Sequence, residues 1–135
     1  MQGKYRAHEV APHRRDDGAI LLTTVFEHGE VVARTTDWLH MWAATTPDAV
    51  CLAERSGEGW REITYRTALE QVRAIAASLL ERGMGASTPI LILSGNGVDH
   101  ALLALGAQYA GIPYVPVAEQ YSLIPAANVQ LAHVT

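Results

Sequence analysis

Cysteine, lysine and phenylalanine occur once each, as Cys51, Lys4 and Phe26. A single cysteine excludes an internal disulfide and a cysteine-built zinc site, and it fits a reducing compartment. Cys51 lies within Val50-Cys51-Leu52-Ala53 and reads as a small apolar packing residue. No lysine follows Lys4, and no cation of either kind follows Arg82. Residues 83–135 hold two charged side chains, Asp99 and Glu119. A net charge of −4 gives no electrostatic reason to expect nucleic acid. No apolar run has the length of a membrane span. The stretch Ala19–Phe26 is interrupted by Thr23 and Thr24, which argues against a signal peptide. The expected location is the cytoplasm.

What is present describes a globular chain. Of 135 residues, 49% are hydrophobic and 18% charged, a composition that folds. A segment as poor in charge as residues 83–135 would be badly solvated if half of it faced water. Parallel-sheet units have this composition because both faces are covered. The segment is therefore expected to be wrapped by further chain, or to self-associate. Met1–Asp17, with Lys4, Arg6, Arg14 and Arg15 against Glu9, Asp16 and Asp17, reads as a mobile, solvated leader. Residues 18–135 then form the start of one large domain.

The punctuation predicts an α/β chain with a β-hairpin region and a parallel βαβ unit. Ala19–Phe26 favours a strand, and Glu27-His28-Gly29-Glu30 a turn into Val31-Val32-Ala33. Thr35 or Thr36 can cap a short helix with Asp37 in its first turn and Pro47 at its end. Trp38, Leu39, Trp42 and Ala43 share one stripe of that helix. Val50–Ala53 and Trp60–Tyr65, joined through Ser56-Gly57-Glu58-Gly59, predict a second hairpin. Helix Thr67–Arg82 places Ala68, Leu69, Val72, Ile75, Ala76, Leu79 and Leu80 on one face and stops at Gly83. Strand Ile90–Leu93, loop Ser94–Gly97, helix Val98–Ala110, stop Gly111 and strand Tyr114–Val117 complete a parallel crossover. Val98, Leu102, Leu105, Gly106 and Tyr109 fit one face of this helix, and its other positions are largely apolar too.

Candidate chemistry is sparse. Ser94-Gly95-Asn96-Gly97-Val98-Asp99-His100 joins a strand to a helix, where backbone N–H groups can cradle phosphate. It opens like a dinucleotide fingerprint, and Glu119 lies near where a ribose-binding acid belongs. His100, however, takes the place of the third glycine, and Pro113 and Pro116 suit an interior strand poorly. A tight turn, with Asn96 or Gly97 as cap and Asp99 at the positive helix end, is the favoured reading of the stretch. A pocket-lining role in a larger enzyme is the remaining reading. His8, His13, His28, His40, His100 and His133 are scattered, so a packing or surface role is expected for each. Trp38 and Trp42 are expected in the core, Asp37 and Asp48 in cap and turn chemistry, and Ser122 as the cap of a last helix. No residue is nominated as catalytic, cofactor-binding or metal-ligating.

Several stretches resemble one superfamily. Leu105-Gly106-Ala107-Gln108-Tyr109-Ala110-Gly111-Ile112-Pro113-Tyr114-Val115-Pro116-Val117 is similar to the second core motif of the adenylate-forming enzymes. Trp60-Arg61-Glu62-Ile63-Thr64-Tyr65 is similar to the first, with Thr67 where an acid is usual. Trp42–Val50 resembles the opening helix and Pro-Asp turn of acyl-CoA synthetases. Ile90–Asn96, His100–Leu105, Pro116-Val117 and Tyr121-Ser122-Leu123 resemble one branch, the feruloyl-CoA synthases. The resemblance runs from Thr36 to Leu123. It implies an N-terminal fragment of the large AMP-binding domain of an acid–CoA ligase. Such an enzyme uses ATP and magnesium to form an acyl-adenylate, then transfers the acyl group to coenzyme A. The family's phosphate loop, ribose-binding acid and C-terminal lysine have no counterpart in these 135 residues. The residues themselves are therefore expected to bind no cofactor and to be inactive alone. The expected partner is the remainder of the parent enzyme, or a second copy through apolar surface. Other readings are a non-catalytic interaction module or decayed remnant, and a small nucleotide-binding α/β domain.

Overall fold

A computed structural model describes residues 9–124 together with 129 and 132. The chain divides into two compact units, Met1–Val31 and Val32–Thr135.

The first unit contains an antiparallel hairpin of β1 (Val10–Arg14) and β2 (Ile20–Thr24). The leader expected over Met1–Asp17 thus contains a strand, and residues 1–8 lie outside the described residues. β2 pairs with β1 rather than with Val31–Ala33, because Asp16-Asp17-Gly18 supplies the turn instead. Gly18 has φ +86, and the Asp17 carboxylate accepts from the Ala19 N–H at 3.0 Å, an Asx turn. Arg15 donates to the Ala19 carbonyl, and Val25 to the Glu9 carbonyl, just beyond the two ends of the ladder. With the register Pro12↔Leu22, this sends the backbone groups of Val10, Pro12 and Arg14 away from β2, and those of Ile20, Leu22 and Thr24 away from β1. Pro12, which has no N–H, therefore stands where a donor would otherwise face outward.

In the second unit, α1 (Thr35–Thr45) has its N-cap at Arg34, one residue before the earlier of the two expected caps. The Asp37 carboxylate accepts from the Arg34 N–H at 3.0 Å and stands at the positive helix end. This helix buries Thr36 and Leu39, whereas Trp38 and Trp42 are about half exposed, at 50% and 43%. Their expected core role is corrected. Trp42 instead lies against the Tyr65 ring, with centroids 6.0 Å apart. β3 (Val50–Ser56) and β4 (Gly59–Thr64) form the second hairpin. Gly57, with φ +60, opens its two-residue turn, and the register shifts around Cys51. α2 (Tyr65–Glu81) begins earlier than expected because Thr64 is the cap, its hydroxyl accepting from the Thr67 N–H at 3.3 Å. Ala68, Val72, Ala76 and Leu79 are buried, but Leu80 is exposed.

β5 (Ile90–Leu93), α3 (Val98–Ala110) and β6 (Tyr114–Val117) have the expected bounds, and β5 and β6 pair in parallel. A short α4 (Gln120–Leu123) follows, with the Ser122 hydroxyl donating to the Glu119 carbonyl inside it. Ser122 therefore caps nothing in α4, and the later helix expected after it lies mostly outside the described residues. Both long helices end alike. After α2, Gly83 (φ +76) donates to Leu80 and Met84 to Leu79; after α3, Gly111 (φ +72) donates to Gln108 and Ile112 to Ala107. These are Schellman closures, and each sends its following apolar residue, Met84 or Ile112, into the same core cluster as Leu79, Ile90, Ile92, Ala104 and Ala107. A second cluster joins Leu39, Ile63, Ala68, Val72, Val98 and Leu102. α3 serves both clusters, which explains its apolar circumference. The parallel pair buries Ile90, Ile92 and Val117 and exposes Leu91 and Val115 on its other face.

Candidate functional site

The C-terminal ends of parallel strands are where α/β folds hold ligands, and β5 ends at such a place. From Leu93 the chain turns through Ser94–Gly97 into α3, with Gly97 extended at φ −152. A cleft of about 380 Å³ opens here, lined by Leu91, Leu93, Leu103, Ser94, His100 and Glu54 among others.

The positive end of α3 already has an anion, supplied by the chain itself. Glu54, on β3, accepts from the Val98 N–H through Oε2 at 2.7 Å. Its Oε1 accepts from Arg61 on β4 at 2.8 Å, and the other arm of that guanidinium reaches Asp99 at 2.7 Å. A side chain at Gly97 would crowd this arrangement, since a Cβ there would lie 2.8 Å from Glu54 Oε2. Gly97 thus occupies the N-cap position, as expected, but the capping acceptor is a carboxylate from the second hairpin. Spacing could not reveal this, because Glu54 and Val98 are 44 residues apart. At the start of α3 the Val98 N–H is engaged and Arg61 is divided between two carboxylates, so neither of these two groups is free for a phosphate. Among the described residues, no three or more His, Cys, Asp and Glu side chains are grouped so as to hold a metal ion.

The sequence also hid a serine–histidine pair. Ser94 Oγ lies 2.7 Å from His100 Nδ1, part-buried in the cleft wall. The bulk of His100 is therefore used, turned toward Ser94 across the loop. Glu119 packs beside Gly95, where a Cβ would meet its carboxylate at 3.3 Å. The remaining candidates stay apart. His40 Nε2 is 3.0 Å from the Tyr109 hydroxyl, which also accepts from Arg73 at 3.3 Å. Asp48 pairs with Arg66 at 3.1 Å, its side chain in an ion pair rather than in the expected turn role. Burial pushes the Cys51 thiol up, toward the inert protonated form. His8 and His133 lie outside the described residues.

The hydrogen bond from Arg61, and then its charge, hold the Asp99 carboxyl below its ordinary value. A carboxylate depressed on folding contributes stability above its unfolded pKa, near 4, and loses it as pH falls through the lower folded value. Acid titration should therefore weaken the fold below about pH 4, and Asp99→Asn should flatten that part of the curve. The change should be slight, because the Asp99 side chain is 81% exposed. An unaltered curve in Asp99→Asn would show the pair to be energetically silent.

Comparison with known proteins places the chain. The PKS-NRPS hybrid synthetase psoA of Aspergillus fumigatus is 35% identical over 92 residues, which is 65% of this chain and 2% of that protein. The fatty acid AMP ligase of Legionella pneumophila has a similar structure, with a TM-score of 0.58 and 26% identity over 62% of this chain and 14% of its own. The N-terminal subdomain of Klebsiella oxytoca NpsA, in complex with 3-hydroxyanthranilyl-AMSN, gives 0.58 and 25% over 65% of this chain and 22% of its own. The chain spans a small part of each. Residues 39–133, from the middle of α1 past the cleft and β6, match the AMP-binding enzymes. The chain belongs to that family, and its mixed α/β architecture is that of the N-terminal part of the large domain of adenylate-forming enzymes.

Proposed function

We propose that this chain supplies the opening part of the large domain of a feruloyl-CoA synthase-like acid–CoA ligase, a cytoplasmic enzyme. The parent would join a carboxylic acid to AMP at the expense of ATP with magnesium, then pass the acyl group to coenzyme A. The observation that carries this reading is the family match over residues 39–133, which coincides with most of the stretch resembling that branch. The carboxylate seated at the start of α3 supports a structural share in the reaction. Adenylation requires cations and free donors around the phosphates, and here the Val98 N–H and the Arg61 guanidinium are internally engaged. The same occupancy disfavours a self-sufficient nucleotide-binding domain. The partner is then the remainder of the ligase, against which the exposed Leu91 and Val115 face would pack.

A chimaera tests it. Residues 36–123 should replace the matching segment of a feruloyl-CoA synthase with thioester formation from ferulate retained within about tenfold, while the 135-residue chain alone forms none. A soluble, folded chimaera that makes acyl-adenylate from other acids but no feruloyl thioester would sink the branch assignment. Thioester formation by the chain alone would sink the structural-share reading.

A further inference from the structure

We propose that Ser94 is an acyl-acceptor site, with His100 as its general base, for short acyl groups carried on activated esters. Its direct support is the 2.7 Å approach of Oγ to Nδ1 at the end of a parallel strand. A hydroxyl is a weak nucleophile until an adjacent base takes its proton, and this pair has the separation such a transfer requires. His100 sits in the first turn of α3, which holds its ring beside the loop that carries Ser94. Ser94 and His100 line the cleft of about 380 Å³ with Leu91, Leu93 and Leu103, a wall suited to a short acyl chain. The Gly95 and Asn96 N–H groups carry no protein hydrogen bond among the described residues. The N–H of the residue after a nucleophile is a recurrent oxyanion donor, and Gly95 occupies that position.

In the step, Ser94 Oγ bonds to the ester carbonyl carbon as its proton passes to His100 Nδ1. The bond from that carbon to the departing alkoxy or aryloxy oxygen then breaks, and the leaving group takes the proton from His100. The products are acyl-Ser94 and the free alcohol or phenol, and no electron transfer is involved. No residue orients His100 Nε2 among the described residues, so one slow acylation is expected rather than rapid turnover. The inference concerns this chain alone, in which Leu91 is exposed.

The full chain should be treated with 4-nitrophenyl acetate, following nitrophenolate release and mapping acetylated peptides by mass spectrometry. The expected result is a stoichiometric burst with acetyl on Ser94, absent in Ser94→Ala and slowed about 10²-fold in His100→Gln. In the unaltered chain, labelling of Ser94 should rise through the imidazole titration and then level off. This profile decides the matter even if a variant fails to fold. Acetyl confined to Cys51, Lys4 or the N-terminus would overturn the proposal. So would a Ser94 rate that keeps climbing with hydroxide, since no imidazole base would then be at work.

Discussion

Gly106→Ala should destabilise the chain by about 1–2 kcal/mol, and Gly106→Leu should abolish the cooperative unfolding transition. α2 and α3 cross closely at this glycine. A Cβ built there would collide with Ile75 Cγ2, lie 2.9 Å from Ile75 Cβ and come within 3.5 Å of the Val72 carbonyl oxygen. The Cγ2 methyl could rotate away, but Ile75 Cβ is fixed to the backbone, so the helices themselves must part. Glycine to alanine in a helix is worth about 1 kcal/mol in favour of alanine, and overpacking a core costs about 1–3 kcal/mol. The steric cost wins because parting the helices also loosens Val72, which is fully buried. Urea titration measures the difference. Adding Ile75→Ala to Gly106→Ala removes the Cγ2 contact but leaves Cβ in place, so the two changes should couple while only part of the loss is recovered. An alanine variant more stable than the parent would mean that the helices do not meet this closely.

Removal of the Glu54 carboxylate is the second large effect expected. Glu54→Ala leaves the Val98 N–H without its acceptor beneath a buried Val98 and takes one carboxylate from Arg61. An unsatisfied buried donor costs about 1–3 kcal/mol. Glu54→Gln keeps an acceptor oxygen and loses the ion pair. With the side chains of Arg61 and Glu54 40% and 30% exposed, that pair should contribute at most about 1 kcal/mol. Alanine should therefore be clearly worse than glutamine, and amide exchange at Val98 should accelerate at least tenfold in the alanine variant. Equal losses in both would transfer the energy from the capping hydrogen bond to the ion pair. Unchanged exchange at Val98 would show that water replaces the carboxylate at no cost.

How far these features could be read in advance depended on the range of the forces that make them. β5, α3 and β6 have the bounds that Gly111, the prolines and the apolar runs announce, because a helix stop and a strand end are decided within a few residues. α2 was legible for the same reason, although its start moved to Tyr65 once Thr64 proved to be the cap. The first hairpin was misjudged. Asp16 and Asp17 read as the end of a charged leader, yet with Gly18 they form the side-chain turn that joins two strands. Trp38 and Trp42 were misjudged because spacing shows that residues share a stripe, not that anything covers it. At the cleft, a strand–loop–helix junction could be foreseen. The Glu54 cap and the Ser94–His100 pair could not. The first bridges elements distant in sequence, and the second depends on which way a loop turns its side chains.

Pro12 gives the first hairpin a direction of growth. Edge strands propagate assembly when both flanks offer alternating donors and acceptors, and here one flank is interrupted at its centre. An added strand must enter beside β2, where Ile20, Leu22 and Thr24 present both donor and acceptor. If the newcomer is another copy of the hairpin joined through its own β2, each outer boundary of the resulting sheet is a β1 with proline at its midpoint. Further addition would then meet a proline at each outer edge, which disfavours extension into a fibril.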